Sequence, residues 1–165
     1  MKITIRPLAE ADHARWKTLW EGYLTFYKAG IDDANTTALW GRLMDEAQAP
    51  HCLVAVDTGG TVVGLVQYLY HATSWTVHDK CYLQDLFVDP DRRVGGAGRA
   101  LIEAVYEKAT AAGASEVYWM TQEFNSIARV LYDRVGERTP FIKYRPGPPH
   151  IQLNRLQQFL GRLAR

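Results

Sequence analysis

A chain of 165 residues, 47% of them apolar, can bury a core of its own, which excludes an unstructured tail. Nineteen Lys and Arg against eighteen Asp and Glu leave a net charge of +1, so no global field draws the chain to nucleic acid or to an anionic membrane. No apolar run approaches the ~20 residues of a membrane span, and Met1–Pro7 has no signal-peptide core; a cytoplasmic protein without nucleic-acid or membrane partners is expected.

Ile3–Arg6 alternates and is closed by Pro7, which predicts a short strand. From Ala9 to Tyr27, Trp16, Leu19, Trp20, Tyr23 and Tyr27 recur at helical steps; a second helix is expected near Asp33, with Leu39, Trp40 and Leu43 inward. Cys52–Val56 and Val62–Tyr70, separated by Asp57-Thr58-Gly59-Gly60, read as a hairpin. A polar loop, His71–Asp79, precedes a third long strand, Tyr82–Val88, which Asp89-Pro90 should end. Gly98–Ala112 reads as a helix stopped by Gly113, Glu116–Met120 as a strand, Asn125–Val135 as a helix and Phe141–Tyr144 as a last strand. Beyond Pro146-Gly147-Pro148-Pro149, Ile151–Leu163 has the stripe of an amphipathic helix. Its apolar face needs a partner, either the same chain or a second subunit. The order implies an α+β mixed sheet, mostly antiparallel, flanked by helices: a domain over residues 1–146 and a helical tail over residues 147–165. Cys52 and Cys81 have no metal-ligand spacing and are expected to be buried, reduced thiols.

The chemistry concentrates at Arg93-Val94-Gly95-Gly96-Ala97-Gly98, which follows a strand and opens a helix. A helix N-terminus presents unpaired N–H groups and partial positive charge, and glycines let the backbone close on an anion. A P-loop would need Lys-Ser/Thr after the last glycine, where Arg99-Ala100 stand; the spacing is not that of a Rossmann fingerprint either. Taken alone, the run supports only a phosphate ligand or a flexible turn.

The pattern Arg/Gln-x-x-Gly-x-Gly/Ala, filled by Arg93, Gly96 and Gly98, resembles the acyl-CoA signature of the GNAT superfamily of N-acetyltransferases. The resemblance extends to Tyr82-Leu83-Gln84-Asp85-Leu86-Phe87-Val88-Asp89-Pro90 and to Asn125-x-x-Ala128-x-x-Leu131-Tyr132-x-x-x-Gly136. The subgroup looks like that of the yeast histone and polyamine acetyltransferases and the spermidine/spermine acetyltransferases, although Gln84 stands where the latter carry an acid.

The resemblance implies a GNAT-like fold, acetyl-CoA as cosubstrate, no metal, and direct attack by a primary amine on a small molecule or an exposed lysine. It implies backbone groups of Leu86, Phe87 and Val88 beside the thioester and pantetheine, and the backbone from Val94, Gly95, Gly96, Ala97 and Gly98 to Arg99 around the pyrophosphate. Asn125 would bond the pantetheine arm, and Tyr132 would be the general acid. The base is open between Asp85, acting directly, through water or only structurally, and Glu123. Trp20, Tyr23, Tyr27 and Trp75 are candidates for the amine entrance. Family members often dimerise, so a homodimer is expected. The competing readings are a non-catalytic acyl-CoA sensor and an interaction module with an incidental glycine turn.

Overall fold

The computed structural model describes residues 2–92 and 95–147. Contacts divide the chain into Met1–Val135 and Gly136–Arg165. The elements of the first unit are β1 (Thr4–Pro7), α1 (His13–Phe26), α2 (Asp33–Leu43), β2 (His51–Val56), β3 (Val62–His71), β4 (Lys80–Val88), α3 (Ala97–Ala111), β5 (Glu116–Trp119) and α4 (Ser126–Val135), with single 3-10 turns at Glu10–Asp12 and Pro90–Arg92. They follow the order read from the sequence, with boundaries moved by one to a few residues.

Five strands form one sheet in the order β1-β2-β3-β4-β5. The first four pair antiparallel, and β5 returns through the α3 crossover to lie parallel to β4. Each face buries its own layer, so the strands are apolar on both sides rather than alternating. On one face Leu101, Ile102, Val105 and Ala109 of α3 pack with Leu53, Val66 and Leu83. On the other, Trp16, Leu19, Trp20 and Leu24 of α1 and Leu39 of α2 pack with Cys52, Val54 and Leu65. Both cysteines are buried and free.

Polar contacts fix the joints. Arg6 forks onto Asp12 through Nη1–Oδ2 (2.6 Å) and Nη2–Oδ1 (2.8 Å), and Asp12 Oδ2 also accepts the Ala9 N–H at 2.9 Å. Arg15 of α1 donates to the Val62 carbonyl (2.7 Å) and pairs with Asp89 just past β4, which ties the helix across the sheet's end. Asp32 caps α2 by accepting the Asn35 N–H at 2.7 Å.

The pairing of β3 with β4 slips by one residue. Gln67 faces Asp85 while Tyr68 faces Leu83, so Gln84 is an inserted bulge residue. Cys81 and Leu83 therefore pack on the α3 side, and beyond the bulge Leu86 and Val88 do so too, which turns Asp85 and Phe87 toward α1. Phe141–Tyr144, expected as a strand, forms none: the described residues of the second unit, 136–147, hold no helix or strand, because a strand exists only with a ladder partner. The expected tail helix at residues 151–163 lies outside the described residues.

At Gly64 the β3–β4 ladder leaves no room for a side chain. A Cβ there would lie 2.9 Å from the Phe87 carbonyl oxygen and 3.0 Å from Val88 Cγ2, and the carbonyl is backbone that cannot step aside. Gly64→Ala should lower stability by about 1–3 kcal/mol in denaturant titration; an unchanged midpoint would contradict this account of the ladder.

Candidate active site

β4 is held along both edges only as far as its pairing with β5 lasts. That pairing runs from Lys80↔Glu116 to Leu83↔Trp119 and then stops. From Asp85 to Val88 the strand pairs with β3 on one side, and no strand lies against its other edge among the described residues. Leu86, Phe87 and Val88 thus lie where the two parallel strands separate.

The turn that follows leads into α3. Gly95 and Gly96 have φ of +83° and +75°, the left-handed region in which side chains are strained. A Cβ on Gly96 would meet nothing within 4 Å, so its backbone angles, and not its space, call for glycine. Gly96 is the N-cap of α3 and offers no side-chain cap, so the first amides of the helix face outward without an internal acceptor. Ala97 is buried, Gly98 packs against Leu131 of α4, and Arg99 pairs with Glu103 at 2.7 Å. Arg93 and Val94 lie outside the described residues. Consecutive left-handed glycines and an uncapped helix start suit a diphosphate.

Asn125, buried at 8% exposure, immediately precedes α4. Its Nδ2 donates to Thr121 Oγ1 (3.1 Å) and to Tyr27 Oη (3.4 Å), so α4 is joined to the end of α1. Tyr132 lies two turns further along α4, edge-on to Trp119 with ring centroids 5.6 Å apart. Burial, with a smaller contribution from Tyr27, pushes its phenol up to about 12. It therefore stays protonated across the physiological range.

Asp85 is 6% exposed on the α1 side of β4. Burial raises its pKa; the Tyr23 hydroxyl and the Gln84 side chain beside it act in the opposite direction. Burial first and the Asp85 charge second raise Tyr23 as well, so it remains a phenol. The rings of Tyr23 and Tyr27 are 4.9 Å apart on successive turns of α1. Asp85, Tyr23, Tyr27 and Asn125 thus form one row of neighbouring polar groups between β4 and the start of α4. Glu123, the other candidate base, is exposed.

Of the entrance candidates, Trp20 is core, at 5% exposure, and Trp75 stands in the loop at 83%. His71 is engaged: its Nδ1 meets the Ala72 carbonyl at 2.9 Å, so that nitrogen donates, and its Nε2 meets Tyr118 Oη at 2.9 Å. Sequence reasoning did not assign Tyr23 to Asp85 or Tyr27 to Asn125. The one available signal was their four-residue spacing, which puts both rings on one face of α1. No group of His, Cys, Asp and Glu suited to a metal occurs among the described residues.

Comparison with known proteins agrees with this geometry. The sequence profile of the acetyltransferase (GNAT) family matches residues 16–136. The chain is 34% identical over 145 residues to the D-amino-acid N-acetyltransferase HPA3 of Saccharomyces cerevisiae, covering 87% of this chain and 90% of that protein. Among solved structures, the ribosomal-protein-alanine N-acetyltransferase of Brucella melitensis biovar Abortus 2308 superposes with a TM-score of 0.75 at 21% identity, covering 88% of this chain and 99% of that one. The aminoglycoside N-acetyltransferase AAC(6')-Iy, solved in complex with CoA, gives 0.72 at 19% identity over 89% and 95% of the two chains. With the profile spanning most of the chain and the yeast relative aligned along nearly its full length, this protein belongs to the GNAT acetyltransferase family.

Proposed function

We propose that the protein transfers the acetyl group of acetyl-CoA to a primary amine by direct attack, with Asp85 as the base and Tyr132 as the acid. The observation that carries this reading is a buried carboxyl, Asp85, on the stretch of β4 whose outer edge is open, together with the partly buried, protonated phenol of Tyr132 packed on Trp119 at the end of β5. Acetyl-CoA supplies the acetyl group as a thioester. The backbone of Gly95, Gly96, Ala97, Gly98 and Arg99, together with Arg93 and Val94, would hold its pyrophosphate, and Asn125 its pantetheine arm. The CoA complex of the structurally similar aminoglycoside enzyme supports the choice of ligand.

The side chains then have distinct tasks. An amine attacks only when neutral, and Asp85 takes up the proton that its nitrogen sheds. Backbone N–H groups between Leu86 and Val88 stabilise charge on the carbonyl oxygen as it develops. Tyr132 holds its proton at Oη and gives a departing thiolate first a hydrogen bond and then the proton. The acceptor is the amine of a small molecule, amino-acid-sized or larger, or of an exposed lysine. The similarity to the yeast D-amino-acid N-acetyltransferase favours an amino acid among these. A non-catalytic acyl-CoA sensor fits less well, because a desolvated carboxyl costs stability and brings a pure binder nothing.

Two substitutions test the roles, read as thiol release with acetyl-CoA and an accepted amine. Tyr132→Phe should lower kcat by about 100-fold with little change in the KM for acetyl-CoA; an unchanged kcat removes Tyr132 from the chemistry. Asp85→Asn should lose about 10²–10⁴-fold in turnover and yet be the more stable protein at neutral pH. The folded pKa of Asp85 lies above its unfolded value of about 3.9, so the native state binds more protons in that window. Wild-type stability therefore falls as pH rises from about 4 through the folded pKa, and the advantage of Asp85→Asn should vanish below pH 4 or so in parallel urea titrations. Equal stability at neutral pH, together with full turnover, would rule out a strained catalytic carboxyl.

A further inference from the structure

Five side-chain polar atoms are buried without a hydrogen-bond partner among the described residues: Trp16 Nε1, Trp20 Nε1, Asp85 Oδ2 and both polar atoms of Gln67. Buried polar groups are almost always paired, so five such atoms ask for an explanation. Trp16 and Trp20 belong to the layer in which α1 and α2 cover this face of the sheet, and Gln67 and Asp85 stand opposite each other on β3 and β4. Gln67 is completely buried, the one amide within the otherwise apolar first seven residues of β3. It stands directly across the ladder from Asp85, at the step where the register slips. Directly opposed residues on one face have Cβ atoms about 4.5–5.5 Å apart, within reach of a glutamine amide and a carboxylate oxygen. The amide lacks an acceptor, and Asp85 Oδ2 lacks a donor.

We propose that Gln67 is the positioning residue of the base: its Nε2 donates to Asp85 Oδ2, directly or through one water, and so sets the orientation of the carboxyl and the pH at which it loses its proton. The proposal rests on the reading of Asp85 as the base. The other groups that face Asp85 are Tyr23 from α1, Cys52 from β2, and Tyr82 and Gln84 from β4. All are neutral near pH 7, the thiol and both phenols because burial raises them. Tyr23 from α1 and the neighbouring Gln84 favour the charged carboxyl, and Gln67 is the group across the ladder that can supply a donor for Oδ2, which is buried without a partner. An apolar residue of the same length would pack equally well at this position, so packing alone does not account for an amide there.

The test compares wild type with Gln67→Met, which keeps length and volume and removes the donor, and with Gln67→Glu, which replaces the amide by a second carboxyl. Two readouts are taken on each full-length protein. The protonated-carboxyl stretch of Asp85 is titrated by infrared spectroscopy and assigned by its loss in Asp85→Asn, and kcat/KM is measured against pH with one amine. Loss of a hydrogen bond to the charged form should raise the Asp85 titration by about one pH unit in Gln67→Met. The acidic limb of kcat/KM should move up with it, and the plateau should stay within a few-fold of wild type. Gln67→Glu should move both further in the same direction, since two opposed carboxyls resist joint ionisation. If the infrared titration moves and the rate profile does not, Gln67 holds Asp85 as proposed, but Asp85 is not the base. If neither variant moves the infrared titration, the proposal is overturned.

Discussion

One inserted residue organises this molecule. At Gln84 the ladder between β3 and β4 slips, and every side chain beyond it changes face. Without the slip, Asp85 would follow Cys81 and Leu83 into the layer beneath α3, away from Tyr23. With it, Asp85 turns toward α1 and meets Tyr23, while Leu86 and Val88 take over the packing under α3. At nearly the same point β4 loses β5, whose last partner is Leu83. The open backbone edge and the buried carboxyl therefore arise together, from the same few residues of one strand.

The helices follow from that arrangement. α1 must cover a face that carries a carboxyl and an amide, and it does so with a row of aromatic rings: Trp16, Trp20, Tyr23 and Tyr27, with successive centroids 6.3, 5.4 and 4.9 Å apart. The row changes from indole to phenol as it passes from core to site, so its polar tips appear where polar partners stand. α3 contributes an apolar inner face for the core and an uncapped N-terminus, the proposed seat of the pyrophosphate. The left-handed glycines at 95 and 96 allow both functions at one helix start. α4 meets α3 through Leu131 against Gly98 and brings Asn125 within reach of Tyr27.

Much of this was legible in the chain. The 3.6-residue stripe of α1, the apolar runs of β2 and β3, Pro90 after β4 and the glycines before α3 each act through local chemistry, so each announces itself locally. The fit of Gly96, Asn125 and Tyr132 to a known spacing gave the family before any geometry was available. The bulge was not legible, because Gln84 carries no glycine or proline signal and the slip is set by the packing of both faces. The pairing of Gln67 with Asp85 was invisible for the same reason: eighteen positions separate them, and only the register brings them face to face. Phe141–Tyr144 has the composition of a strand, but composition supplies no partner, and none is formed among the described residues.

The buried carboxyl of Asp85 and the partly buried phenol of Tyr132 are the proposed working parts of a transfer within one complex of protein, acetyl-CoA and amine. The most direct test is thiol release from acetyl-CoA, followed with and without amines drawn from D- and L-amino acids, polyamines, aminoglycosides and lysine peptides, with the amide product identified by mass. The account predicts thiol in step with amide for at least one acceptor, and no thiol burst when the amine is left out. Tight acetyl-CoA binding without transfer to any amine would contradict it, and so would a stoichiometric burst of thiol in the absence of amine.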